Sequence, residues 1–135
     1  MNHLSKKLGI LAAVGVTCGS VLTAAPQASA ASWDYTMHTD DGDPGGLVRF
    51  KANGDYVEVC DIEEDGWAAY AFVTDDKHPY HIRAGGNGNC SVVSAATAGH
   101  NLNENQHIHF EVCLVKSSGG NDIYSYCDTS SWWNG

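Results

Sequence analysis

Apolar and polar residues alternate with a period of two in several short windows along the chain, and no window carries a 3.6-residue apolar stripe. The clearest case is Leu47-Val-Arg-Phe-Lys51 followed, after Asn53-Gly54-Asp55, by Tyr56-Val-Glu-Val-Cys60. Asn-Gly between two alternating runs predicts a β-hairpin, with Val48 and Phe50 on one face and Val57 and Val59 sharing a face of the return strand. A third strand is predicted over Trp67–Val73, a short one over Tyr80–Arg83, and another beginning at Cys90. His107–Val115 places Ile108, Phe110, Val112 and Leu114 on one side, and Ile123–Cys127 reads as the final strand.

Gly, Asn and Asp between short strands at this spacing indicate an all-β fold: a small disulfide-stapled β-sandwich of about six to eight antiparallel strands over residues 47–135. Residues 31–46 stand apart, because an aromatic start runs into a charged stretch containing Gly and Pro. This segment is predicted to be an exposed N-terminal arm.

The first thirty residues carry a different pattern. Lys6 and Lys7 precede an apolar stretch from Leu8 to Ala24, and Ala28-Ser29-Ala30 supplies the small residues that suit signal peptidase. The stretch is broken by Thr17, Gly19 and Ser20 and falls short of the ~20 residues a spanning helix needs. A general secretion signal cleaved after Ala30 is the expectation, since there is no twin arginine and Gly15-Val16-Thr17 before Cys18 does not suit lipid attachment. The protein is therefore expected to be secreted.

Loss of Lys6 and Lys7 takes the formal charge from −9 to −11. A chain this acidic is a poor partner for nucleic acid or an anionic membrane, both of which are bound through basic patches. Export would also remove the odd cysteine. Cys60, Cys90, Cys113 and Cys127 remain, an even set that predicts two disulfides in an oxidising compartment. Three pairings are possible; Cys60–Cys90 and Cys113–Cys127 are preferred because each joins neighbouring segments. A zinc site would want cysteines at closer spacing.

Little of the remaining chemistry is catalytic. His107, His109 and Glu111 would project from one strand face, a set that suits zinc or copper, but alternation alone explains the spacing and a solvated polar face is expected. Asp61-Ile-Glu-Glu-Asp-Gly66 opens like a calcium loop, yet its twelfth position is Phe72 where a bidentate carboxylate is needed. Asp40-Asp41-Gly42-Asp43 could also hold a weak calcium ion, but such a cluster is more often simply solvated. No Gly-x-Ser-x-Gly elbow or other ordered nucleophile motif is present, so neither catalysis nor a metal or other cofactor is expected. The aromatic surplus is more informative. Trp33 and Tyr35 on the arm, with Asp40, Asp41 and Asp43 behind them, are candidate partner-binding residues; Trp132 and Trp133 lie near the C-terminus, where they either stay exposed or cap the sandwich.

Val59-Cys60-Asp61, Asn89-Cys90, Val112-Cys113-Leu114 and Tyr126-Cys127, behind an export signal, resemble the small two-disulfide β-proteins secreted by actinobacteria. Within that group the format is similar to the adaptor subunit of umbrella toxin particles. The resemblance implies a non-enzymatic scaffold joining a lectin-like subunit to the repeat-containing stalk of a large toxin subunit. Two other secreted formats compete: an inhibitor that presents Ala84–Asn89 or Thr74–Tyr80 to an extracellular hydrolase, and a carbohydrate-binding module that uses Trp and Tyr as stacking platforms.

Overall fold

The computed structural model describes residues 32–135. The expected signal peptide, its expected cleavage point and Cys18 lie outside the described residues. Eight strands follow in chain order: β1 (Tyr35–His38), β2 (Gly46–Lys51), β3 (Tyr56–Asp61), β4 (Ala68–Thr74), β5 (Tyr80–Gly85), β6 (Cys90–Val93), β7 (Gln106–Ser118) and β8 (Asn121–Asn134). They form two four-stranded antiparallel sheets, β1-β2-β3-β6 and β5-β4-β7-β8, and the described residues contain no helix.

The β2–β3 hairpin turns at Ala52–Asp55, where Gly54 has φ +94° and Asp55 φ +51°. A side chain at Gly54 would bring its Cβ to 2.8 Å from the Tyr56 ring, so glycine satisfies both the dihedral and the space. Gly119 and Gly120 play the same part between β7 and β8, both at positive φ in a two-residue turn closed by Ser118 and Asn121.

The inner faces follow the predicted alternation. Val48, Phe50, Val57 and Val59 from one sheet, and Ala69, Ala71, Val73, Ile108, Phe110 and Val112 from the other, are completely buried. The alanines of β4 let the sheets approach: a Cβ at Gly46 would lie 3.0 Å from that of Ala69. An aromatic stack fills the wider part, with Phe110 4.5 Å from Trp132 and 5.0 Å from Phe50 between ring centroids.

Both disulfides link adjacent strands, Cys60–Cys90 across β3 and β6 and Cys113–Cys127 across β7 and β8. These are the pairings expected. Of the expected exposed arm over 31–46, the described residues 32–46 are tied into the sandwich: Tyr35–His38 is an edge strand paired along its length with Leu47–Phe50 of β2. Its Met37 is buried, and Tyr35 packs against the core. The last strand is also longer than its expected five residues, because β8 continues in register with β7 until Asn134 meets Gln106.

Candidate functional site

The five residues expected to bind a partner lie in two places. Trp33 is half-buried, with the Arg49 guanidinium 5.9 Å from its ring centroid, and Tyr35 stacks on Trp132 inside the sandwich. The aspartates lie beyond the other end of β1. Asp40 donates its backbone N–H to the Tyr126 carbonyl at 2.9 Å, and the Asp41 carboxylate accepts from the Gly45 N–H at 3.0 Å. Asp43 is exposed. Burial raises the Glu63 carboxyl above its ordinary value, and the neighbouring Asp43, Asp65 and Asp41 charges raise it further. An acidic end is thus separated from the aromatic start of β1 by the strand itself.

His107 and His109 project from the exposed outer face of β7, where His107 meets Trp133 edge-on at 5.3 Å. Among the described residues, the two groups of three potential metal ligands are Glu58 with Cys60 and Cys90, and Glu111 with Cys113 and Cys127. Each includes both sulfurs of a disulfide, which removes the thiolates a metal would need. The Asp61–Gly66 turn is built for structure. Asp61 is buried, and its carboxylate accepts from the Gly86 N–H at 2.7 Å and the Glu63 N–H at 3.4 Å.

That anchor shapes one side of a groove of about 710 Å³ at an end of the sandwich. Besides the carboxylate contact, the Asp61 N–H bonds to the Asn89 carbonyl and the Gly88 N–H to the Asp61 carbonyl, so the Gly86–Asn89 turn is held against β3 at three points. The adjoining Cys60–Cys90 bridge fixes the same wall covalently. The lining also includes Glu63 and Glu64 of the β3–β4 connection, and Lys116 and Ser117 where β7 runs past the end of β4. Trp67 lines the groove, its backbone N–H donating to the Asp65 carboxylate at 2.7 Å and its ring facing the Lys116 ammonium at 5.8 Å.

A second feature lies on β8, a sheet edge. Of seven large apolar side chains that are exposed, four belong to this strand: Ile123, Tyr124, Tyr126 and Trp133. Tyr124 meets Tyr70 edge-on at 5.0 Å, and Tyr70 stacks on His81 at 5.5 Å, so the rings continue from β8 across the outer face of the sheet. Tyr126 and Cys127 together oppose Cys113, a β-bulge in which Tyr126 takes φ +55°.

Sequence patterning missed both features. Ile123-Tyr-Ser-Tyr-Cys127 announces a strand but not its edge position, and the groove is assembled from the β3–β4 connection, the β5–β6 connection and the far end of β7. Trp67 opens the apolar run Trp67–Val73 and so reads as part of a buried strand, and Tyr124 and Tyr126 read as ordinary strand residues. No family model matches the chain, and neither a curated protein nor a solved structure does.

Proposed function

We propose that this protein is an exported, non-catalytic protein-binding module, an adaptor that links other subunits of an extracellular toxin complex. One observation carries the protein-binding part of this reading: the concentration of Ile123, Tyr124, Tyr126 and Trp133 on a single edge strand. Tyrosine and tryptophan are enriched at the energetic centres of interaction sites, and Ile123, Tyr124 and Tyr126 lie within four residues of one another, with Trp133 towards the far end of the strand. Apart from the Tyr126 and Asn134 carbonyls, which accept from the Asp40 and Asn105 N–H groups, the outer edge of β8 has no strand neighbour in its sheet, and an extended partner segment can add there.

The two disulfides support an oxidising destination, and no helix among the described residues is long and apolar enough to cross a membrane. The adaptor and toxin-complex parts rest on the resemblance in format. The test is recovery of the tagged protein from its native culture medium under gentle conditions, with identification of what accompanies it. The proposal expects a repeat-containing large subunit and a lectin-like subunit, both lost when Tyr124 and Tyr126 are replaced by serine. Recovery of the chain alone, as a monomer, overturns it.

A further inference from the structure

We infer that the groove beside Trp67 binds a neutral oligosaccharide chain. The inference is independent of the partner surface on β8 and does not require it.

Three properties of the groove support this ligand class. Its lining mixes an indole with both donors and acceptors: Arg83, Asn87 and Lys116 can donate, whereas Glu63, Glu64 and the side-chain oxygen of Asn87 can accept. A sugar needs that mixture, because each hydroxyl both donates and accepts while the C–H face of the ring packs on an aromatic plane. A purely apolar ligand would leave those polar groups desolvated without partners.

The groove is also pre-shaped. Asp61 and the Cys60–Cys90 bridge hold the Gly86–Asn89 wall at fixed distance from β3, and Asp65 fixes the backbone of Trp67. A wall already ordered before binding loses little conformational freedom when a ligand arrives. Its volume of about 710 Å³ lies within the range of small-ligand sites and exceeds the needs of a single sugar ring, so several units of a chain would lie along it.

Charge selects among glycans. Asp61, Glu63 and Glu64 outnumber Arg83 and Lys116 in the lining, and the Arg83 guanidinium is already 3.7 Å from the Asp122 carboxylate. With a whole-chain formal charge of −9, uronic or sulfated glycans would be repelled from this end. Lys116, lying over the Trp67 ring, must swing aside or pack against the sugar edge, which its flexible stem allows.

The experiment measures retardation of the disulfide-intact protein in native gels containing soluble neutral polysaccharides of the glucan, xylan, mannan and chitin classes, followed by calorimetry with hexasaccharides of the class that retards it. Binding to at least one neutral class is expected. Trp67→Ala should weaken it by about tenfold or more, as expected for loss of an aromatic platform. Because Trp67 is half-buried, Asn87→Ala and Glu64→Gln are measured beside it; both residues are exposed, and each variant should weaken binding by about threefold with the fold intact. Tyr56→Ser, at the β2–β3 hairpin, should bind as the parent does. The inference is overturned if a folded protein binds none of the four classes, if binding survives all three groove substitutions, or if an acidic glycan is preferred.

Discussion

Tyr35 and Trp132 stack face to face, their ring centroids 5.3 Å apart and their planes within 7°, although they come from opposite ends of the domain. The contact joins the edge strand of one sheet to the edge strand of the other, and a second link, the Asp40 N–H to the Tyr126 carbonyl, lies further along the same side. The N-terminal segment is therefore part of the fold. Trp132→Ala should destabilise the protein by about 3–5 kcal/mol in urea unfolding, the usual cost of emptying a large buried aromatic site. Tyr35→Ala should be non-additive with it by about 0.5–1.5 kcal/mol, and additive losses would show that the stack does not couple the sheets.

Asp55 makes a comparable long-range tie by polar means. Its carboxylate is completely buried and accepts from the Leu102 N–H and from the Asn134 side-chain amide, both at 2.9 Å. Asp55→Ala removes both bonds at a position with φ +51°, where alanine is strained. A loss of roughly 3 kcal/mol is expected from two orphaned donors. Asp55→Asn keeps one acceptor and tolerates the dihedral, so equilibrium unfolding should place it between the parent and the alanine variant.

Asp75 gives the fold an acid limit. Burial alone would raise its carboxyl, but hydrogen bonds from the His78 ring and from the backbones of His78, Lys77 and Asn103 outweigh that and hold it at about 2, below the ordinary 3.8. A carboxyl depressed by folding adds stability that is fully present above the unfolded value and disappears as the pH falls towards the folded one. The melting temperature should therefore fall between about pH 4 and pH 2, and Asp75→Asn should flatten that limb while lowering the temperature measured at pH 6. An unchanged acid limb in the variant would assign the transition to other carboxylates.

The two disulfides close loops of different length, with sequence separations of 30 for Cys60–Cys90 and 14 for Cys113–Cys127. On the chain-entropy account, replacing the first pair by serines should cost about 3.6 kcal/mol and the second about 3 kcal/mol. The Cys60–Cys90 variant should also weaken glycan binding, because that bridge stiffens a groove wall. The Cys113–Cys127 variant, whose bridge lies on the outer face of the other sheet, should not. Calorimetric binding on both double variants separates the effects.

What the sequence disclosed depended on how much of each element's stability is local. The β2–β3 hairpin and β7 were legible because their alternation is strict and Asn53-Gly54 names the turn. β1 was not, because four residues with turn-rich neighbours become a strand only by pairing with β2. The end of β8 was hidden similarly: Asp128-Thr-Ser-Ser131 has no apolar pattern, and Trp132 reaches the core because register with β7 sets it opposite Ile108. Of the groove only the Ala84–Asn89 loop was legible, since Trp67, Asn87 and Lys116 meet only after the sheets have formed.

Tyr126 offers a way to separate folding from binding. A non-glycine residue at φ +55° costs energy, and such strain tends to persist where the side chain has a use. In this case the ring is exposed, so burial does not repay the strain. Tyr126→Asn replaces it with a residue that tolerates the left-handed region while keeping the carbonyl that receives the Asp40 N–H. The variant should be as stable as the parent or more stable by up to about 1 kcal/mol, yet bind its protein partner at least about tenfold more weakly if the β8 edge is the contact surface. Thermal unfolding and partner titration on the same preparation decide the matter. A variant that loses stability gives Tyr126 a structural role, whereas one that keeps both stability and affinity removes this strand from the proposed interface.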